Sequence, residues 1–309
     1  MTTPLVSVII PNYNHARYLE KRIDTVLNQT YQNIEVIILD DKSTDNSLEV
    51  IDKYRANSKI TQIIVNEQNT GSPFKQWDKG INLAKGELIW IAESDDYCEL
   101  NFLESVIAEI KKHDNVVLAY SNCVKVDENN KIVARLKERK NRYFQGVKFL
   151  KKRLTRYCAI SSASCAVFKK EAAMCITKNY LSFKNTGDYQ FWTEIVPLGN
   201  VSIVRKNLVY WRQSIFSVTG KHLSKGDTAI EDKRVFDGIL ENHTLSNVER
   251  LLAYIYHHEM YSKCPFESEL IRQKVLTQWD ISNREILSLT RRVLLWVLPR
   301  IENYFGILL

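Results

Sequence analysis

The chain has 309 residues, 45% of them hydrophobic and 26% charged, which is an ordinary globular composition with ample length for a large core. Its formal net charge of +7 favours anionic partners such as nucleotides, phospholipid or nucleic acid, without choosing among them. The six cysteines form no CxxC pair, the start shows no signal-peptide pattern, and no run approaches the ~20 apolar residues of a membrane span. We therefore expect a reduced, cytoplasmic protein without a metal–thiolate site.

Strand and helix signals alternate through residues 1–122. Short apolar runs predict strands at 5–10, 34–39, 60–65, 88–92 and 116–120. Apolar residues at helical spacing predict helices at 15–29, 47–55, 73–85 and 100–113. This order indicates βαβ units and a mostly parallel sheet with both faces covered.

The regular alternation of strand and helix signals ends after Asn122. Strands are predicted at 159–168, 201–204 and 208–211, and a loop at 185–188 runs into a helix. From about residue 248 the pattern is helical to the end of the chain. No repeats, low-complexity tracts or clean linker interrupt it.

Two short acidic clusters each follow an apolar run, Asp40-Asp41 in the first and Asp95-Asp96 in the second. Paired carboxylates are costly to hold together unless a positive charge lies between them. Loops at the carboxyl ends of parallel strands are where open α/β folds bind ligands. The pattern therefore indicates a divalent cation and a ligand that carries phosphate.

Four ordered segments carry a family resemblance: 6–14 (VSVIIPNYN), 27–31 (LNQTY), 35–45 (EVIILDDKSTD) and 84–96 (AKGELIWIAESDD). They resemble the successive signatures of the family-2 glycosyltransferases, which have the GT-A fold. The resemblance thins after residue 122 and returns at 187–188 (GD) and 210–213 (YWRQ). It implies an α/β GT-A fold with a mostly parallel mixed sheet. The parts would be a nucleotide-sugar-binding half at 1–122, an acceptor-side half at 123–245 and a helical C-terminal extension at 246–309.

The resemblance implies that the first two loops bind the nucleotide base. Pro11 and Tyr13 would line or stack on the base, and Asp41 would accept a hydrogen bond from a uracil-type N–H, since a carboxylate only accepts. On residue type alone, Asp40 and Asp41 could equally cap the following turn. Asp40 is the more structural candidate of the two.

In the second cluster the resemblance implies a metal motif. Asp96 would ligate Mg²⁺ or Mn²⁺, and Asp95 would contact the nucleotide ribose, because hard cations prefer carboxylate and phosphate oxygens. The metal would neutralise charge on the diphosphate leaving group. The alternative is a solvated acidic loop that caps the next helix.

The general base would be Asp188, which would deprotonate an acceptor hydroxyl as it attacks the anomeric carbon. Glu194 is the second candidate, and a purely N-capping role for Asp188 stays open. Arg212 would contact the diphosphate. The next family position, often His, is Ser214 here, and His222 is the candidate substitute. Lys75 and Lys79 either contact phosphate or line a solvated helix face.

Two further segments have open interpretations. Residues 135–156 contain ten Lys or Arg and one acidic residue, Glu138, and either face an anionic membrane leaflet or a polyprenyl-linked acceptor, or form a solvated loop. The apolar tail at 290–309 either lies at a membrane interface or docks on the core. Nucleic-acid binding is not expected, because no known module or stacking platform is present.

The resemblance thus implies a metal-dependent, inverting hexosyltransferase-type enzyme that uses a nucleotide-sugar donor and a saccharide or lipid-linked acceptor in cell-surface polysaccharide synthesis. UDP is favoured by Asp41, and dTDP presents the same N3 donor. The alternative is a catalytically silent GT-A scaffold in a polysaccharide complex. A nucleotidyltransferase would need a Gly-rich phosphate loop, which segment 12–15 is not.

Overall fold

The computed structural model describes residues 3–135, 140–213 and 223–280. The strands in these ranges are β1 Val6–Asn12, β2 Ile34–Asp40, β3 Ile60–Val65, β4 Leu88–Ile91, β5 Tyr97–Cys98, β6 Val116–Val126, β7 Ile132–Arg135, β8 Arg142–Gln145, β9 Ala166–Lys169 and β10 Asn200–Arg212. The helices are α1 Ala16–Leu27, α2 Ser47–Asp52, α3 Pro73–Leu83, α4 Phe102–Lys112, α5 Gly146–Phe149, α6 Lys170–Cys175, α7 Gly187–Ile195, α8 Asp227–Asn242, α9 Asn247–Ser262 and α10 Glu269–Gln278.

All of these strands join one mixed sheet. Its order is β3-β2-β1-β4-β9-β6-β10-β5, with β7 added to β6 and β8 to β10. Strands β3, β2, β1 and β4 are parallel, β9 is antiparallel to both of its neighbours, and β6 and β10 are parallel to each other. The predicted mixed α/β sheet is confirmed. The proposed division between residues 122 and 123 falls inside β6.

Strand β10 corrects one expectation. Two strands were predicted at 201–204 and 208–211, whereas β10 is continuous from Asn200 to Arg212. Its register against β6 shifts between Val204 and Asn207, where Arg205 and Lys206 are exposed. The irregularity lets the polar residues point to solvent without ending the strand. As a result, β10 extends as far as the second acidic cluster.

The sheet is covered on both faces, as predicted. One core contains residues of α1 and α4, among them Leu19, Ile23 and Phe102, packed on alternate residues of β1 and β2. The other contains α3, α7 and the helices that follow β10, with Trp77, Trp192 and Phe236 among its large side chains. A strand residue alternates between the two faces, which explains why Val8 and Ile9 belong to different cores.

Helices α9 and α10 lie within the range predicted as a helical C-terminal extension, 246–309, of which the structure describes residues up to 280, and α8 precedes that range. The candidate His222, the position Ser214 and the apolar tail at 290–309 lie outside the described residues. Among the helices in the ranges that are described, none combines the length and apolar character needed to cross a membrane.

Candidate active site

Asp40 at the end of β2 has a structural place. It is fully buried, and its carboxylate accepts hydrogen bonds from Asn12 Nδ2 at 2.8 Å and from the backbone N and the Oγ of Ser43 at 2.8 and 2.7 Å. These bonds hold the turn after β2, in which Lys42 has a positive φ of 65°. Asp40 therefore fastens the loop after β2 to the end of β1.

Asp41 is buried and surrounded by donors from α3 and from the segment before it. Its oxygens accept from Asn66 Nδ2 at 2.7 Å, Gln76 Nε2 at 2.9 Å and the Thr70 hydroxyl at 2.8 Å. The Thr70 backbone N–H lies 3.0 and 3.1 Å from the two oxygens. A carboxylate has about four lone-pair sites, and these donors fill them.

The other predicted base-binding residues lie at the end of β1. Pro11 is buried, whereas the Tyr13 ring is 45% exposed and is free to cover a ligand. Asn14, with φ of 56°, accepts from the Thr44 N–H at 2.7 Å and so joins this loop to the one after β2. The structure therefore brings Tyr13 and Asp41 to neighbouring loops at one edge of the sheet.

Lys75 and Lys79 of α3, the two candidates for phosphate contacts, contact the segment that surrounds Asp41. Lys79 Nζ donates to Asn66 Oδ1 at 2.6 Å, and Lys75 Nζ lies 3.3 Å from the Thr70 carbonyl oxygen. Both therefore stabilise the segment that surrounds Asp41. Lys75 remains exposed.

Asp96, the predicted metal ligand, is 2% exposed, and both of its oxygens have partners. Oδ1 accepts from the Arg212 backbone N at 2.8 Å, and Oδ2 accepts from Ser162 Oγ at 2.8 Å. Arg22 Nη2 forms a buried ion pair with Oδ2 at 4.0 Å. Burial, together with the neighbouring Asp95, raises the pKa of Asp96 to about 6. Through these contacts Asp96 connects the acidic loop, residues 93–96 after β4, to Arg22, Ser162 and β10.

Asp95, the predicted ribose contact, has the more open carboxylate. It is half-buried, and none of the described residues donates a hydrogen bond to its side chain or forms an ion pair with it. Glu93, two residues earlier, accepts from Trp77 Nε1 at 2.8 Å. Burial and the charges of Asp95 and Asp96 raise the pKa of Glu93 to about 8. Asp95 thus lies beside two buried carboxyl groups whose pKa values are raised.

Arg22 was missed by the sequence interpretation, although it organises this loop. It is completely buried on α1 and donates to the Glu93 carbonyl oxygen at 2.8 Å and to Ser164 Oγ at 2.9 Å, besides its ion pair with Asp96. The available signal was its position: with Leu19 and Ile23 it falls on the apolar face of the helix, where an unpaired charge would be costly.

Arg212, the residue predicted to contact the diphosphate, has main-chain and side-chain oxygens as its partners in the protein. Its guanidinium donates to the carbonyl oxygens of Asp95 at 2.8 Å and Asp127 at 2.5 Å, and to Asn130 Oδ1 at 2.7 Å. It also lies 4.1 Å over the Tyr18 ring. Arg212 is 6% exposed, and its side chain connects the acidic loop to the β6–β7 hairpin.

Asp188 lies in the first turn of α7 and is half-buried. Its Oδ1 accepts from the Tyr189 N–H at 2.8 Å, and Cys158 Sγ lies 4.0 Å from Oδ2. Burial raises the pKa of Asp188 to about 6. The second candidate, Glu194, accepts from the Thr177 N–H, the Thr177 hydroxyl and Gln190 Nε2 at 2.6, 2.8 and 2.8 Å. Glu194 therefore stabilises the segment after α6.

One segment connects Asp188 to the acidic loop. Cys158 contacts Asp188, and Ser162, four residues later, contacts Asp96. Four residues span at most about 14 Å. The third acidic position thus lies at the same side of the molecule as the second, although 92 residues separate Asp188 from Asp96 in the sequence.

Close packing fixes the start of α7. A Cβ on Gly187 would lie 2.6 Å from the Phe74 ring and 2.7 Å from the Tyr180 carbonyl oxygen. Trp77, also on α3, packs on Phe191 and Trp192 of α7 with ring centroids 5.6 and 6.3 Å apart. Because Trp77 also bonds Glu93, α3 sets the distance between Asp188 and the acidic loop.

The described residues contain no group of three His, Cys, Asp or Glu side chains arranged to hold a metal ion by themselves. A cation here would therefore have one or two protein ligands and complete its shell with ligand phosphate and water, which is common for Mg²⁺. Asp95 is the residue that fits this requirement.

Comparisons with known proteins identify relatives in sequence and in fold. GlyG, a glycosyltransferase of Streptococcus pneumoniae serotype 4, is 36% identical over 126 residues, which are 41% of this chain and 41% of GlyG. The chain thus matches less than half of the length of that relative. A Staphylococcus aureus TarS fragment in complex with UDP-GlcNAc superposes with a TM-score of 0.68 at 20% identity, covering 89% of this chain and 79% of that one.

A mannosyltransferase of Pyrobaculum calidifontis, in complex with GDP-Man and Mn²⁺, superposes with a TM-score of 0.55 at 16% identity, covering 98% of this chain and 81% of that one. These likenesses confirm the predicted GT-A fold. The sequence model of the family described as Glycosyl transferase family 2 matches residues 7–177, more than half of the chain. The chain therefore belongs to glycosyltransferase family 2.

Proposed function

We propose that the protein transfers a sugar from a UDP-sugar to a hydroxyl group of a saccharide or lipid-linked saccharide, with inversion, in the synthesis of a cell-surface polysaccharide. The observation that carries the proposal is the segment from Cys158 to Ser162, which contacts both Asp188 and Asp96. This connection supports a site in which Asp188, a carboxyl group with a raised pKa, lies on the same side of the molecule as the acidic loop. A base of this kind together with a cation at the acidic loop could carry out sugar transfer from a nucleotide diphosphate.

In this proposal Asp188 is the general base. Its carboxylate takes the proton of the acceptor hydroxyl as that oxygen attacks the anomeric carbon, and the bond from this carbon to the diphosphate oxygen breaks in the same step. A base whose pKa lies near 6 is largely ionised at neutral pH and still has proton affinity. Attack from the face opposite the diphosphate inverts the anomeric centre.

We propose Asp95 as the residue that holds Mn²⁺ or Mg²⁺, with Glu93 beside it. Asp96 was the residue predicted for this role; because Ser162, Arg212 and Arg22 already contact its carboxylate, we propose that Asp95 is the ligand and that Asp96 orients the loop. When bound, the metal would neutralise charge on the diphosphate that leaves. The Pyrobaculum neighbour, which is described with Mn²⁺, supports a divalent cation.

The donor nucleotide is proposed to lie across the ends of β1 and β2. Tyr13 would cover the base, and the base N–H would replace one of the present donors to Asp41. Uracil has such an N–H, and the TarS neighbour binds UDP-GlcNAc. Thymine has the same donor, so dTDP is the competitor to test.

The test of the base assignment is Asp188→Asn. Loss of a general base typically costs ~10²–10⁴-fold in rate, so kcat should fall by at least about 100-fold while UDP binding stays unchanged. Glu249→Gln is the matched control, because Glu249 lies in the capping box of α9 and far along the chain from Asp188. Full activity of Asp188→Asn would remove Asp188 from the mechanism.

The donor is tested by thermal shift with UDP, dTDP and GDP, each with and without Mn²⁺. A ligand present at 100 times its Kd stabilises the folded state by about 2.7 kcal/mol. We expect the largest shift with UDP and Mn²⁺, and we expect Asp95→Asn to abolish the Mn²⁺-dependent part. Absence of any nucleotide-dependent shift, together with no sugar transfer, would favour the silent scaffold.

Comparing Asp95→Asn with Asp96→Asn separates the metal ligand from the support. Asp95→Asn should keep its melting temperature and lose the Mn²⁺ response, whereas Asp96→Asn should lose stability. The opposite pattern would restore Asp96 as the metal ligand.

We also propose that a lipid-linked acceptor brings the protein to the cytoplasmic face of an anionic membrane. Lys148 and Lys152 are exposed on the basic segment, whereas Arg153 is buried beneath the rings of Phe144 and Phe149. Co-sedimentation with phosphatidylglycerol vesicles should weaken in the double variant Lys148→Ser and Lys152→Ser. Equal sedimentation of variant and wild type would leave this segment as a solvated surface.

A further inference from the structure

Glu231 on α8 binds the loop that leads into α7. Its carboxylate accepts three consecutive backbone N–H groups: from Lys184 at 2.8 Å, and from Asn185 and Thr186 at 2.9 Å each. The Thr186 hydroxyl lies 3.3 Å from the same carboxylate. Glu231 is 7% exposed, so these bonds are made away from bulk water.

This arrangement differs from an ordinary helix cap. Thr186 is the N-cap residue of α7, and its side chain forms no cap hydrogen bond. The donors before the helix are instead satisfied by a carboxylate 45 residues further along the chain. A carboxylate is buried at low cost only where it is well hydrogen-bonded, and three N–H donors meet that requirement. The loop and Glu231 are therefore held as one unit.

The position of that unit matters because Asp188 follows Thr186 by two residues. Gly187, between them, is held against Phe74 and Tyr180 with no room for a side chain. Glu231 fixes the backbone on one side of Gly187, and α3 fixes it on the other. The direction in which Asp188 leaves the helix thus depends on both contacts.

We propose that Glu231 is a positioning residue for the catalytic base, which aims the Asp188 carboxylate at the acceptor hydroxyl through the 184–186 backbone. The proposal rests on the proposed function, because it presumes that Asp188 is the base. It assigns a catalytic contribution to α8, which lies outside the segment matched by the family model.

The charges around Asp188 make the proposal testable by a pH profile. Asp188 is faced by Cys158, by the Tyr189 N–H and by Glu231, whose negative charge raises the pKa of Asp188 further after the larger effect of burial. Asp232, next to Glu231, accepts from the Tyr261 hydroxyl at 2.5 Å, and burial raises its pKa to about 7. Removing the charge of Glu231 should therefore lower the pKa of Asp188.

The experiment compares Glu231→Gln with the matched control Glu249→Gln, which also changes a carboxylate that binds backbone N–H at a helix start. Misplacement by about 1 Å can cost ~10²-fold, so we expect kcat of Glu231→Gln to fall between about 10- and 100-fold. The donor KM and the UDP thermal shift should stay within twofold of wild type. The acid limb of the kcat profile should move to lower pH, which a merely structural role would not produce.

Glu231→Asp keeps the charge but withdraws the carboxylate by one methylene group. It should lose kcat on the order of tenfold while the acid limb stays in place, and it decides the matter if Glu231→Gln does not fold. Wild-type kcat in Glu231→Asp, or a Glu231→Gln enzyme with unchanged kcat and acid limb, would overturn the role of Glu231. An active Asp188→Asn variant would instead show that the base assignment itself is in error.

Discussion

Replacing Arg22 by Met should destabilise the whole protein. The substitution removes hydrogen bonds to the Glu93 carbonyl oxygen and to Ser164 Oγ, and it leaves the Asp96 carboxylate without its cation. Both side chains of the ion pair are essentially inaccessible, at 0% and 1% exposure. Breaking a buried pair by removing one partner costs about 3–5 kcal/mol, because the remaining charge is uncompensated. With a slope of 2–4 °C per kcal/mol for domains somewhat smaller than this one, the melting temperature should fall by roughly 10 °C.

The assay is thermal and urea unfolding of four proteins: wild type, Arg22→Met, Asp96→Asn and the double variant. If the ion pair is the source of the loss, the double variant should recover part of it, with a coupling of about 1–3 kcal/mol. Arg17→Met is the control on the same helix, because Arg17 is exposed and donates only to Asn129 among the described residues, so its substitution should stay within about 0.5 kcal/mol. An Arg22→Met protein that melts within about 2 °C of wild type, roughly the effect of a surface substitution, would refute the reasoning.

Three other outcomes follow from the structure. Because burial raises the pKa of Asp188 to about 6 and a base must be ionised, kcat should fall as the pH drops through 6, and a flat profile down to pH 5 would contradict this. Urea unfolding should show that Gly187→Ala lowers the free energy of unfolding by about 1–3 kcal/mol, because the new Cβ overpacks against Phe74. Gly238→Ala should raise the free energy of unfolding by about 0.5–1 kcal/mol, because no atom lies within 4 Å of its new Cβ. Burial lowers the pKa of His257 from 6.5 to about 3, so its neutral ring stabilises the fold fully above pH 6.5 and this contribution is lost as the pH falls towards 3. Between pH 7 and pH 5 the free energy of unfolding of wild type should therefore fall by about 2 kcal/mol more than that of His257→Phe. Equal decreases in the two proteins would contradict this prediction.

The sequence was sufficient for the parts of the fold that local patterns determine. Strands β1 to β4 and their helices follow from apolar runs and helical spacing, and the loops after β2 and β4 follow from their position at strand ends. Strand β10 was divided because Arg205 and Lys206 interrupt its apolar pattern, and only its register against β6 shows that the strand continues.

The roles of individual acidic residues were harder to predict, because they depend on partners distant in sequence. Asp95 and Asp96 are adjacent and chemically identical, yet the Ser162 hydroxyl and the Arg212 backbone N–H donate to the Asp96 carboxylate, whereas the Arg212 guanidinium reaches only the main-chain carbonyl of Asp95. Arg22 and Glu231 have no motif of their own. Their function depends on contacts with residues 45 to 142 positions away, which neither periodicity nor spacing reveals.

The hydrogen bonds of Glu231 bear on where the chain can be truncated. A fragment that ends at Arg212 would keep every strand of the sheet, the whole segment matched by the family model and all of the acidic residues assigned to donor, metal and base. It would nevertheless release three backbone donors beside the base. Such a fragment would also uncover the core that α8, α9 and α10 share with α3 and α7, so these helices belong to the smallest unit that folds as well as to the unit that orients the loop before α7.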